Sequence, residues 1–328
     1  MLEKKMKSQW LKSMANVFII LIIALTSIWL AIAQPTSKKS EVSVLEVDSL
    51  KLQKHVEKLS MEFYPRNFLE IDNLNKTAAY IKKHLEMAGG LVEFQEYQVS
   101  DQTYRNVIAI FGRGKGNKLI IGAHYDSHEL TPGADDNASG ISGLIELAYL
   151  LQKFPIDREI ELVAYTLEEP PYFRTEYMGS YRHAEKISKE SQIVHGMISL
   201  EMIGYFSGEP NSQNHPNKML KLIYPSTGNF IALVGSLDQM DFTKKIKLQM
   251  KGATNLPVYS INAPKSLPGI DYSDHLNYWN FGINAVMISD TAFYRNSEYH
   301  ELGDTSDRLD YDKMFKVVVA VYETIKSL

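Results

Sequence analysis

Hydrophobic and polar positions recur with two different periods along this chain, and the switches between them predict its elements. In residues 48–62, Leu50, Leu52, Val56 and Leu59 share one helical face; in 70–88, Ala78, Ile81 and Leu85 do the same. Both windows predict amphipathic helices, and Gly89-Gly90 stops the second. Strands are predicted at 92–99 and 106–111, and a Gly-rich turn at 112–116 leads into a further strand at 118–123. A helix with small residues at its start is predicted over 137–154, and another over 310–327. The runs 159–166, 194–200 and 283–289 are largely apolar, as suits buried strands of a largely parallel sheet. Residues 207–270 are less regular, with several Gly and Pro, and are predicted to make an excursion over one end of the sheet. Strands alternating with helices predict one α/β domain, with no repeat and no second domain.

The first 34 residues read as a separate unit. Lys4, Lys5, Lys7 and Lys12 precede an apolar stretch from Val17 to Ala33, which ends in the small-x-small pattern Ala31-Ile32-Ala33. The stretch is longer than the roughly 7–15 residues of a cleavable h-region and shorter than the about 20 of a spanning helix. It is therefore either a signal peptide or an uncleaved signal anchor, allowing membrane attachment through 17–33. In both cases the lysines stay inside and the remainder is expected outside the cytoplasmic membrane, periplasmic, extracellular or anchored. Residues 35–41 form a polar linker, and 42–328 the folded domain.

Composition narrows the chemistry. A net charge of −4 and a pI near 6.2 leave no basic footprint for nucleic acid. With no cysteine there is no disulfide, thiolate ligand or cysteine nucleophile. Any metal must be held by His and carboxylate.

Such residues stand where apolar runs end, the place where ligands gather in open α/β sheets. His124 follows Leu119-Ile120-Ile121, and Asp126 two residues on is placed to orient it, directly or through the backbone. Asp135-Asp136 precede Asn137-Ala138-Ser139-Gly140, where a carboxylate either bridges cations or caps the helix. Glu168-Glu169 end the strand Leu162 to Leu167: one carboxylate can ligate while its neighbour deprotonates a bound water. Glu201 ends Met197 to Leu200, where an unpaired charge is costly. His300 lies in Tyr-His-Glu-Leu-Gly-Asp-Thr, with Tyr299 adjacent and Asp304 placed to support it. His128 reads as a polar neighbour. His55, His84, His183, His195 and His215 have no supporting pattern, and Tyr272, Tyr278, Trp279 and Phe281 read as core.

From residue 42 onward the chain resembles the co-catalytic zinc aminopeptidases, a family that includes secreted bacterial aminopeptidases and glutaminyl cyclases. The motifs that carry the resemblance are G-A-H-Y-D-S, G-A-D-D-N-A-S-G, L-E-E, S-L-E-M-I-G-Y-F, S-D-H and Y-H-E-L-G-D-T. It implies a three-layer helix–sheet–helix sandwich around a mixed, mainly parallel sheet. It also implies two zinc ions, one held by His124 and Glu201 and the other by Glu169 and His300, with Asp136 between them. Glu168 would be the general base and Tyr299 an oxyanion donor. Asp274 and His275 would lie near the substrate pocket, in supporting or substrate-contact roles. The chain departs from the family pattern at Glu201, commonly Asp, and at Glu301, commonly Thr. The implied activity is hydrolysis of the first peptide bond of substrates with a free N terminus. A one-zinc cyclase-type transferase and a non-catalytic binding ectodomain are the alternatives, and retention of Glu168 with all five ligand positions favours the hydrolase.

Overall fold

A computed structural model describes residues 2–37 and 39–328. The side chains of Lys4 and Lys5 and the linker residue Lys38 lie outside what is described. Eight strands form one sheet: β1 (Leu91–Val99), β2 (Gln102–Phe111), β3 (Lys118–His124), β4 (Ile160–Tyr165), β5 (Val194–Glu201), β6 (Ile231–Ser236), β7 (Val258–Ala263) and β8 (Ala285–Ser289). Their order is β1-β2-β4-β3-β5-β8-β6-β7. The centre, β4-β3-β5-β8, is parallel, whereas β1-β2, β2-β4 and β8-β6 pair antiparallel, so the sheet is mixed.

Helices cover both faces. α2 (Ser49–Glu57), α3 (Ile71–Met87), α4 (Gly140–Lys153), α6 (Met240–Met250) and α8 (Tyr311–Ser327) enclose the larger core; α5 (Gly179–Ser188) and α7 (His275–Asn280) close the smaller one. This is the expected helix–sheet–helix sandwich in a single domain. Buried strands of the centre are apolar because both faces are covered. Gly122 is required in β3, since a Cβ there would fall 2.2 Å from the Tyr165 ring. Glu161, buried in β4, is compensated by Lys118 Nζ at 2.9 Å and His183 Nε2 at 2.7 Å.

One expectation fails. Residues 207–270 are no mere excursion: they contain β6, α6 and β7, which extend the sheet on one side. The run Ile231-Ala232-Leu233-Val234 is a buried strand, and Phe242, Ile246 and Met250 put α6 on the larger core. Flanking Gly and Pro mark the connections, not the absence of elements. The predicted core cluster also divides: Tyr278 and Trp279 are buried, whereas Tyr272 is exposed at a cavity rim.

The N-terminal helix, α1 (Leu2–Ala33), is longer than the apolar stretch alone suggests, because Gln9–Met14 continue its turns. By length and composition Gln9–Ala33 is able to cross a membrane.

His275 supplies a stability switch. Its Nε2 donates to Ile270 O (2.8 Å), its Nδ1 is buried without a partner, and burial lowers its pKa to about 4. Between about pH 4 and the ordinary value near 6.5, the unfolded chain binds a proton that the folded one does not. Stability from this group is thus complete above pH 6.5 and lost as pH falls toward 4. In urea unfolding, the drop between pH 7 and pH 4.5 is expected to be about 2 kcal/mol smaller in His275→Gln than in wild type. An equal drop in both would refute it.

Candidate metal centre

The site lies at the carboxyl ends of the central strands. His124 ends β3, Glu201 ends β5, and Glu168-Glu169 follow β4; Asp136 comes from the β3–α4 connection and His300 from the β8–α8 connection. Leu167, Met202 and His300 hold left-handed backbone at φ 58°, 50° and 60°. Such conformations are uncommon for non-glycine residues and concentrate where side chains must be aimed.

Asp136 stands between two groups of atoms. Its Oδ1 is 3.3 Å from His124 Nε2, which also lies 3.3 Å from Glu201 Oε2. Its Oδ2 is 3.2 Å from His300 Nε2, which lies 3.2 Å from Glu169 Oε2. Each imidazole nitrogen carries at most one proton yet faces two carboxylate oxygens. Ligand atoms of His124, Asp136 and Glu169 fall within 4.8 Å of one another. Glu169 Oε1 is buried without a hydrogen-bond partner, as are both carboxylate oxygens of Asp274. Burial lifts Glu169 to about 7, with Asp136 adding to the rise and His300 opposing it, and burial lifts Asp274 to about 7 as well. Five buried acids (Asp136, Glu168, Glu169, Glu201, Asp274) against two imidazoles make an excess of negative charge that divalent cations would relieve. The His and carboxylate donor set suits zinc.

Surrounding contacts fix these side chains. Asp126 faces His124 Nδ1 through its backbone carbonyl oxygen at 3.2 Å, with its carboxylate 3.5 Å from the same nitrogen. Its carboxylate oxygens also accept from the amides of Glu168 (3.2 Å) and Glu169 (3.1 Å), which the sequence did not foretell. Asp304 supports Asp136 instead of His300, accepting from the Asp135 and Asp136 amides at 3.0–3.2 Å. The choice between bridge and cap resolves along the run: Asn137 Oδ1 accepts from Gly140 N (3.1 Å) at the start of α4, leaving the Asp136 carboxylate to the site. Asp135 is turned away, accepting from Gly204 N (3.0 Å) and Asn296 Nδ2 (3.1 Å). His128 stacks on His300 with ring centroids 4.0 Å apart, and Tyr299 stacks on it at 3.8 Å.

Two contributors escape the sequence reading. Ser273 donates to Glu201 Oε2 (2.7 Å) and contacts Ser199 Oγ (3.0 Å), so a hydroxyl steadies the longer carboxylate at this position. Its signal was present in the S-D-H motif, where attention falls on the acid and the imidazole. Arg66, fully buried, donates to the carbonyls of Leu59, Tyr125, Pro132 and Gly133 and so staples the loop joining His124 to Asp136. No local pattern marks it. Ser273→Ala, which frees the Glu201 carboxylate, is expected to weaken zinc binding by about 10–100-fold. Chelator competition reads this as a weakened affinity; wild-type affinity in the variant would contradict it.

A cavity of about 100 Å³ opens beside Glu201 and Tyr299. Phe230, Ile270, Met287 and Phe293 give it apolar walls, and Gln213, Asn214 and His215 stand among its polar lining.

Comparison with known proteins agrees with this geometry. The profile of peptidase family M28 matches residues 106–325. The chain belongs to peptidase family M28. It is 46% identical over 278 residues to the uncharacterized protein YfbL of Escherichia coli (strain K12), covering 82% of this chain and 85% of that one. It is 34% identical over 110 residues to aminopeptidase YwaD of Bacillus subtilis (strain 168), spanning 32% of this chain and 23% of YwaD. Among solved structures, a leucine aminopeptidase precursor from Bacteroides thetaiotaomicron superposes with a TM-score of 0.68 at 18% identity, covering 88% of this chain and 99% of that one. A glutaminyl cyclase from the same organism gives 0.65 at 18% identity, covering 87% and 100%. At these identities the two structures show a shared fold. Membership of M28 and the aminopeptidase relatives make this chain an enzyme of the metallo-aminopeptidase class.

Proposed function

We propose that the chain is an exported two-zinc aminopeptidase that releases apolar residues from the N terminus of peptides. The observation that carries this reading is the position of Asp136, with one carboxylate oxygen toward His124 and Glu201 and the other toward His300 and Glu169. Two donor sets sharing one carboxylate suit a metal pair. Bound there, the pair would acidify a water and polarise the scissile carbonyl.

Glu168, 4.0 Å from His124 Nε2 and held through its amide by Asp126, takes the proton of the attacking water and returns it to the leaving amine. Tyr299, whose ring packs on His300 at the cavity wall, donates to the developing oxyanion, a contribution of about 3–4 kcal/mol for comparable donors. Glu169 Oε1 and the Asp274 carboxylate, which have no hydrogen-bond partner, supply negative charge for a free α-amino group. The apolar cavity beside Glu201 takes the first side chain, and its walls favour an apolar one. The lysines ahead of the apolar stretch of α1 support a cytoplasmic N terminus and an external catalytic domain.

Zinc content and amino-acid release from aminoacyl-anilides test the reading. About two zinc per chain is expected, with leucyl and phenylalanyl substrates cleaved on the order of 10–100-fold faster than glycyl, the discrimination that an apolar pocket gives. One zinc with pyroglutamate formation from N-terminal Gln would instead establish the cyclase, and bound zinc with neither activity a binding ectodomain.

A further inference from the structure

The apolar helix does not end clear of the catalytic domain. Its last carbonyls are taken up by α6 and β7, where helix ends otherwise leave acceptors unsatisfied. Lys247 Nζ donates to Ala33 O (2.6 Å), Gln34 O (3.0 Å) and Ser260 Oγ (3.0 Å); Ser260 Oγ donates to Ala33 O (3.1 Å). Gln34 Nε2 donates to Met240 O (2.6 Å). The following residues continue the seam. Lys251 Nζ reaches Thr36 O, Ser40 N donates to Lys251 O (2.8 Å), and Ser43 N donates to Ala253 O (2.8 Å). Ala33 and Gln34, which flank the small-x-small cleavage point, are therefore buried in the folded chain, 6% and 7% exposed.

Upstream of Ala31, the described residues of the same helix are all exposed. Phe18, Ile20 and Ile23 are each about 60% exposed, and its most apolar window is wholly unburied. Gln9–Ala33 at about 1.5 Å per residue extends about 37 Å, enough for a hydrocarbon core of about 30 Å. Where the helix meets the domain, a cavity is lined by Trp29, Lys39, Lys247 and Lys251, with no carboxylate among its described lining residues. The exposed Trp29 and Lys39 at that level suit an anionic headgroup layer.

We propose that α1 remains on the mature chain as a membrane anchor and that its outer end is clamped to the α6–β7 edge, holding this edge of the domain against anionic lipid. The proposal rests on the export reading above. Tyr224 and Tyr259 line both the cavity at the anchor and the one beside Glu201, and Tyr224 OH donates to Ser260 O (2.6 Å). The substrate cavity therefore opens close to the bilayer, and its wall is tied to the clamp.

The chain has no cysteine, so single thiols report cleanly. Asn255→Cys lies by the clamp and Asp101→Cys on the turn after β1, at the opposite sheet edge; both positions are exposed. The full-length protein is labelled with a fluorophore in vesicles containing phosphatidylglycerol and headgroup-spin-labelled lipid. Because eight strands at about 4.8 Å spacing separate the two edges by about 34 Å, the Asn255 label is expected to be quenched about threefold more than the Asp101 label. Intact mass should include residues 9–33, and Lys247→Met should reduce the contrast in quenching. Equal quenching at the two positions, or a mature chain beginning at Gln34, overturns the proposal. Protease added to spheroplasts separates the two readings: a protected catalytic domain means that export itself fails, and a digested one leaves only the clamp in question.

Discussion

Replacing Glu168 by Gln is expected to lower kcat for peptide hydrolysis by about 10²–10⁴-fold while zinc content stays at the wild-type level. The substitution preserves size and removes only the capacity to carry the proton. Glu168 is buried, and its oxygen closest to an imidazole is 4.0 Å from His124 Nε2, farther than those of Asp136 and Glu201 at 3.3 Å. It thus stands behind the paired donor sets, near enough to exchange a proton with a water held between them. Its amide is bound to Asp126 Oδ1 whichever side chain follows, so the backbone should keep its course. Burial raises the Glu168 carboxyl well above its ordinary value; the His124 imidazole opposes this, and Glu169 and Glu201 reinforce it. A residue used only for binding would raise KM with kcat unchanged. That result, or loss of zinc from Glu168→Gln, would remove Glu168 from the role of base.

Much of this site was legible because its chemistry interrupts the hydrophobic pattern. His124 and Glu201 each end a strand that is otherwise apolar, so a polar residue there needs a partner from elsewhere in the fold. The same pattern located β3, β4, β5 and β8. It missed β6, α6 and β7. β7 alternates buried and half-buried positions over a short run, and α6 carries three lysines, so neither has the contrast of the central strands. The supporting hydrogen bonds were less legible still. Asp304 reaches Asp136 and not the neighbouring His300 because the α4 connection folds back over that loop, a relation between residues 168 positions apart. Arg66 makes all its staple contacts to backbone carbonyls, which no side-chain pattern records.

Asp136→Asn is expected to be more damaging than Glu168→Gln, lowering activity by at least about 10⁴-fold and zinc from about two per chain to one or fewer. The carboxylate serves both donor sets at once, with oxygens 3.3 Å from His124 Nε2 and 3.2 Å from His300 Nε2. An amide keeps one acceptor and presents an N–H₂ donor to the other set, so one side loses a ligand and meets a donor directed at the cation. Removal of the negative charge weakens both sides together. The fold should survive, since Asp304 holds the backbone amide of residue 136 and Asn137 still caps α4. Unfolding by urea together with zinc analysis separates the outcomes. A folded variant depleted of zinc and inactive identifies Asp136 as the shared ligand. A folded variant with two zinc ions and a rate near wild type would mean that the two donor sets do not depend on this carboxylate, and the paired-metal reading would fall with it.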